Sequence, residues 1–231
     1  MRTAWLVIAA TLACAPALGQ DDPATDPGGG AEEELPAETK TYALSVSKSW
    51  IYVVIYNDND RWTPITGHDH GIRATSFTGI VTWNADDASV CSVDIRVPYS
   101  GLRIDPPGMR ERLKFSADGA ISDDQKKKVV GNMLTKGQLD QGSFSEARFQ
   151  SISCSGTEGK VDVTGNLSVR GVAKKITIQM DVGLDGDTFT AAGGITLGHA
   201  DFGMKPFTYG PGTPKNQEKL TFGLDVVGTA N

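Results

Sequence analysis

The chain has 231 residues, a formal net charge of −6 and 39% hydrophobic residues, which is enough for one domain with its own core. The acidity excludes the basic footprint of charge-driven nucleic-acid binding, and no run of 18 or more apolar residues marks a membrane span. Three Cys and three His leave little material for metal clusters.

The charge is unevenly spread. Arg2 is the only charged residue in the first twenty, and seven acids with no base lie between Asp21 and Thr39. Residues 40–231 then carry 21 bases and 21 acids, so the −6 describes a tail. Residues 1–19 run from Arg2 through an apolar stretch, Trp5 to Ala13, to the small residues Ala17 and Gly19. This is the layout of a secretory signal peptide, too short for a membrane helix, with the mature chain starting at Gln20. A second reading stands beside it. Thr11-Leu12-Ala13-Cys14 loosely resembles a bacterial lipobox, in which Cys14 is lipidated and anchors the protein to a membrane. Both readings place the protein outside the cytoplasm, as a periplasmic, secreted or lipoprotein form. Residues 20–39 are acidic and rich in Pro and Gly, and cannot recover the entropy of ordering. They read as a disordered linker.

The body reads as amphipathic strands. Strands are expected at 41–48, 50–57, 72–83, 88–98, 146–154 and 187–198. Period-two alternation is clearest in three further runs. Val161, Val163, Leu167 and Val169 alternate with polar residues, as do Ile176, Ile178, Met180 and Val182. Leu220, Phe222, Leu224 and Val226 form the third series. One buried and one solvated face is the signature of antiparallel strands. Arg170-Gly171 and Asp185-Gly186 supply turn chemistry between them. Ser122 and Gln125 form a capping box, which begins a helix over 123–135 with Val129, Val130, Met133 and Leu134 as its apolar stripe. Lys126, Lys127 and Lys128 read as its solvated face. The fold class is therefore all-β, a sandwich or a closed barrel with one inserted helix.

The chemistry-bearing residues are few. His68 and His70 form an H-x-H pair whose side chains share one face of a strand, and His199 could complete a metal site. The competing reading is a polar strand with hydrogen-bonding histidines. Cys91 and Cys154 lie in strand-like runs, and export to an oxidising compartment would let them form a disulfide; two buried free thiols is the alternative. The sequence contains no G-x-S-x-G elbow, P-loop or G-x-G-x-x-G, so no enzyme and no cofactor is expected.

Four stretches together resemble the YceI-like family of exported bacterial proteins. Phe77-Thr78-Gly79-Ile80-Val81 is similar to its early F-x-G-x-V strand, and Ala147-Arg148-Phe149-Gln150-Ser151 to its P-x-I-x-F-x-S strand, with Glu146 or a neighbour in the Pro position. Gly165 to Lys174 resembles its G-x-L-T-I-R-G-V-T-K run, and Asp201-Phe202-Gly203-Met204 its late D-F-G-I segment. They occur in the family's order over residues 41–228. His199 departs from an Arg common before D-F-G, the helical insertion is longer than in simple members, and Gly67 to His70 occurs only in some. The resemblance implies an antiparallel eight-stranded lipocalin-like β-barrel. It also implies an elongated apolar interior for an isoprenoid-type lipid, a polyprenyl phosphate or quinone tail.

Strand parity then selects Phe77, Val81, Trp83, Phe149, Leu167, Ile178, Met180 and Phe202 as lining residues. Inward-facing Gly79, Gly165, Ala191 and Gly193 are expected to make room for the ligand. Arg170 and Lys174, flanking the Gly171 turn, are candidates for the lipid head group, against the simpler reading of exposed turn residues. Two other classes remain open: a metal-binding or redox-associated envelope protein using the histidines, and a solid-core barrel acting through its surface.

Overall fold

The computed structural model describes residues 38–58, 67–157, 159–208, 210 and 215–230. The signal segment, Cys14 and nearly all of the acidic linker lie outside the described residues. The strands in chain order are β1 (Thr39–Leu44), β2 (Trp50–Asp58), β3 (His70–Ala74), β4 (Thr78–Asn84), β5 (Cys91–Pro98) and β6 (Leu102–Ile104). Two helices follow, α1 (Met109–Leu113) and α2 (Asp123–Met133). Then come β7 (Glu146–Thr157), β8 (Lys160–Val169), β9 (Val172–Asp185), β10 (Thr188–Gly198) and β11 (Lys215–Ala230).

Eight strands close a ring in the order β1-β4-β5-β7-β8-β9-β10-β11, and β11 pairs back onto β1. Every pairing is antiparallel. Closure removes the exposed edges that an open sheet would present. β11 has 16 residues, long enough to serve two partners on the edge opposite β10: β1 at Gly228–Ala230 and β2 over Lys215–Asp225. β2 carries β3 and β6 with it as an extension of the ring. The expected eight-stranded barrel is thus the observed one, widened at one end by three strands.

The alternation read from sequence is the alternation of burial. Val161 and Val163 on β8, and Ile176, Ile178 and Met180 on β9, are buried, while their polar neighbours face out. Arg170 and Gly171 connect these strands with φ of 53° and 72°. Both central residues are thus left-handed, the turn whose twist matches a hairpin. The Ser122–Gln125 capping box starts α2: Gln125 N donates to Ser122 Oγ, and Ser122 N donates to Gln125 Oε1.

Two expectations are corrected and one element is new. The strand expected over 72–83 is two strands, β3 in the extension and β4 in the ring. The chain breaks where Thr75 N and Oγ1 both donate to the Gly101 carbonyl at 2.9 Å. The strand expected over 41–48 ends at Leu44, because Ser49 is fully buried and ties the next turn to β11 through Val227 N. Helix α1 was not expected. It covers the outer face of β2 and β3, where Met109 is fully buried and packs on Gly71. A Cβ at Gly71 would meet Met109 Cγ at 2.6 Å, so the glycine permits the close approach.

Cys91 and Cys154 are joined by a disulfide between the neighbouring strands β5 and β7, with Cα atoms 5.9 Å apart.

Candidate functional site

The barrel interior is apolar but unevenly filled. Toward the disulfide end, Tyr42, Trp83 and Phe189 pack together, with ring centroids 5.3 Å (Tyr42–Phe189) and 6.2 Å (Trp83–Phe189) apart. They leave a small cavity of about 50 Å³. Toward the extension lies a second cavity of about 180 Å³, walled by Ile51, Val53 and Ile55 of β2, Ile195 of β10 and Phe222 of β11. Ile178 and Leu224 border both cavities and form a waist between them.

A third space of about 300 Å³ lies above the larger cavity and shares Ile55, Ile72, Met133 and Gln138 with it. We call it the vestibule. Helix α2 forms one side through Gln125, Lys128, Val129, Asn132 and Met133. Two residues of the apolar stripe of α2, Val129 and Met133, face these spaces, Met133 both of them, and no residue of the helix is fully buried. Cavity and vestibule together fall within the range of small-ligand pockets, about 300–1,000 Å³.

Seven of the eight residues chosen by parity border one of the two apolar cavities. Leu167 and Phe202 line the larger cavity; Val81, Trp83, Phe149 and Met180 line the smaller; Ile178 lines both. Phe77 is buried in the core and lines neither. The expectation that small residues make room is corrected. A Cβ on Gly79 would meet Leu44 Cδ1 at 2.6 Å, and one on Gly165 would meet Phe149 Cζ at 2.5 Å. Neighbouring side chains already occupy that space; Gly193 is likewise covered by Met180, and of the four only Ala191 lines a cavity. The hollow instead comes from the splayed β2–β3–β6 end, where the inward residues Ile51, Val53 and Ile55 stay partly accessible. Their alternation was visible in the sequence, but that β2 would widen the ring was not.

Arg170 and Lys174 line none of these spaces. Arg170 Nη1 donates to the Gly203 carbonyl at 3.0 Å and Nη2 to the Lys136 carbonyl at 2.8 Å. Lys174 Nζ donates to Asp201 Oδ1 at 2.6 Å, while Asp201 Oδ2 accepts from Gly198 N at 2.8 Å. These bonds hold the Asp201 carboxyl below the usual carboxylate range, the Lys174 contact contributing most. The two cations therefore clamp the Asp201-Phe202-Gly203 turn. That turn places Phe202, which is fully buried, in the cavity wall, and Gly203 ends it with φ 67°. In this structure they hold the turn that positions the wall, and their cationic groups are engaged there rather than facing a cavity.

The histidines divide. His199 is 2% exposed, lines the larger cavity and donates from Nδ1 to the Glu218 carbonyl at 3.1 Å. Burial pushes its pKa down, against a smaller opposing effect of that carbonyl, so the ring is neutral near pH 7. His68 and His70 border the vestibule with ring centroids 6.3 Å apart. Among the described residues, no group of three or more His, Cys, Asp or Glu side chains is arranged to hold a metal ion.

His70 instead belongs to a knot that the sequence did not reveal. Asp105, whose side chain is 1% exposed, accepts from His70 Nδ1 at 2.9 Å, Gly71 N at 2.8 Å and Arg110 Nη1 at 3.3 Å. Burial alone would raise the Asp105 carboxyl, but the His70 and Gly71 bonds and the Arg110 charge together hold it below its ordinary value. The knot joins β3, the end of β6 and α1 beside the vestibule. Asp105-Pro106-Pro107-Gly108 reads in sequence as a turn only, and no local signal announces that its carboxylate is buried.

Comparison with known proteins agrees with this architecture. BcnA of Burkholderia cenocepacia superimposes with a TM-score of 0.60 at 16% identity, covering 80% of this chain and 99% of its own. A polyisoprenoid binding domain from Saccharophagus degradans gives a TM-score of 0.54 at 13% identity, covering 82% of this chain and 98% of its own. The YceI protein of Campylobacter jejuni gives 0.53 at 9% identity, with 75% and 91% covered. At these identities the likeness shows a common fold. No curated protein matches the sequence. The YceI-like domain model matches residues 62–227, the greater part of the chain, and with the four motifs and the barrel in place this protein belongs to the YceI-like family.

Proposed function

We propose that this protein is an exported binding protein that holds a long apolar lipid, of polyisoprenoid or quinone type, inside its barrel. One observation carries the reading: an apolar cavity runs from the vestibule to a waist at Ile178 and Leu224, with a second apolar cavity beyond it. Each buried CH₂ contributes about 0.8 kcal/mol, so a long tail binds without specific polar contacts. The Saccharophagus domain, described as polyisoprenoid binding, supports the same ligand class. The hollow argues against a solid-core barrel acting only through its surface. Among the described residues the three histidines share no site with enough ligands to hold a metal ion. The chemistry of the interior suits retention of a ligand rather than its conversion, and we read the protein as a carrier and not as an enzyme.

Export is supported by the layout of residues 1–19 and by the Cys91–Cys154 disulfide, a bond that persists in oxidising compartments such as the periplasm. Lipidation at Cys14 is the anchored form of the same export. Intact mass of the native protein separates a chain starting at Gln20 from one acylated at Cys14.

The test of the function is organic extraction of protein purified from its own host, followed by mass spectrometry. A prenyl lipid in stoichiometric amount is expected. A clean extract, together with no uptake of fluorescent prenyl analogues, would overturn the reading.

A further inference from the structure

The barrel wall is not hydrogen-bonded along its whole length. β9 and β10 are paired from Thr188 opposite Asp185 to Gly193 opposite Met180, and there the pairing stops. Residues 172–179 of β9 are matched only with β8, and residues 194–198 of β10 only with β11. The two strands form a fork beside the larger cavity, since Ile178 and Ile195 on its two arms both wall that cavity. We infer that this seam is a lateral door through which an apolar chain enters and leaves, with residues 198–203 as its leaf and the Lys174–Asp201 pair as its latch. The inference rests on the lipid-holding reading and names the route taken by the same ligand.

Three observations support it. First, the seam has unpaired backbone. Val182 N donates to the Gly159 carbonyl on the β8 side, so alternation turns the main-chain groups of Thr177 and Lys175 toward the seam. β10 gives them no partner. Second, a short piece covers the seam: the single turn His199–Phe202, with Gly198 before it and Gly203 after it. Its hinge side is anchored, because the chain is continuous with β10 and His199 Nδ1 bonds to the Glu218 carbonyl of β11. Its far side carries Phe202, fully buried in the cavity wall, so an outward swing would withdraw that ring and open the cavity sideways. Third, the far side is held lightly. Among the described residues, the hydrogen bond joining residues 198–203 to β9 is Lys174 Nζ to Asp201 Oδ1, between side chains 36% and 30% exposed. Arg170, in the turn before β9, adds its bond to the Gly203 carbonyl. A wall held by side chains and few backbone bonds opens locally more readily than a paired one. A chain entering there inserts along its length and need not thread end-on past α2.

The experiment follows uptake and release of a fluorescent geranylgeraniol analogue by stopped flow on the full mature chain. In Lys174→Cys/Asp201→Cys the native cysteines stay paired, so a bismaleimide bridges the two new thiols across the seam. Before bridging the latch is absent, and entry and release should both be about fivefold faster than in the wild type, as for one partly exposed ion pair. After bridging, both should fall at least about tenfold. Rates unchanged by the bridge would overturn the door, put the route through the vestibule and leave the lipid reading standing. Slower entry with unchanged release also overturns it, because a door acts on both directions alike. Failure of the wild type to take up the analogue overturns the lipid reading and the door with it. Hydrogen exchange on the lipid-free wild type needs no variant. The Gly203 and Met204 amides, bonded within the leaf, should exchange at least about tenfold faster than those of Val161 and Val163 in β8. Equal protection overturns the door.

Discussion

The two ends of the barrel have the same inward alternation of apolar residues but different packing. At the disulfide end, Tyr42, Trp83 and Phe189 interlock, β1 closes onto β11, and only about 50 Å³ stays open. At the other end, β2, β3 and β6 splay from the ring and about 180 Å³ remains under α2, with Phe202 and Phe222 on its wall at 6.3 Å between centroids. The closed end fixes the fold, and the open end offers the binding space. Hollowness here follows from strand topology: the inward glycines Gly79 and Gly165 are covered by Leu44 and Phe149.

The contrast can be broken by mutation, and the largest effect is expected at the closed end. Replacing both Cys91 and Cys154 with Ser releases a link between residues 63 apart and should cost about 4 kcal/mol in urea unfolding. A cost below about 1 kcal/mol would mean that aromatic packing alone holds that end. Phe189→Ala should cost about 3 kcal/mol, because Phe189 is 3% exposed and its removal opens a new cavity among Tyr42 and Trp83. Phe222→Ala at the open end should cost about 1 kcal/mol, since it enlarges a space already present. Equal costs for the two phenylalanines would contradict the division into a packed and a hollow half.

The smallest expected effect is a pH dependence at the open end. His199 has its folded pKa pushed below the unfolded value of about 6.5. The unfolded chain therefore binds the proton first, and the contribution of His199 is complete above about pH 6.5 and is lost as pH falls through the folded value. Asp105 follows the same sign at lower pH: its contribution is present above about pH 4 and is lost as its depressed carboxyl protonates. Stability measured from pH 8 to pH 5 should decline in the wild type and decline less in His199→Gln. Identical profiles would remove His199 as the cause.

Much of the ring, and the helix over its open end, was legible in the sequence. Period two in β8, β9 and β11 located the inward faces, turn residues located the hairpins, and the capping box located α2. The open end was less legible, because its features arise from contacts between distant segments. Ala74 to Phe77 contains no Gly or Pro, so the break between β3 and β4 has no local signal; it is made by Thr75 bonding to Gly101. Asp105 looked like a turn residue until α1 and β3 closed over it. Arg170 and Lys174 looked like free surface cations until the Asp201–Gly203 turn folded against them. Lys128 could be told from Lys126 and Lys127 only once the vestibule was formed.

The central claim is that the open half of the barrel holds a lipid. Ile195 lies on the wall of the larger cavity, and Ile195→Trp would fill much of that space without touching the closed end. Native mass spectrometry of wild type and Ile195→Trp, each incubated with the same prenyl lipid, tests the claim directly. The account predicts a one-to-one lipid adduct on the wild type and none on a folded Ile195→Trp protein. Equal adducts on both would place the lipid outside the cavity and contradict the account.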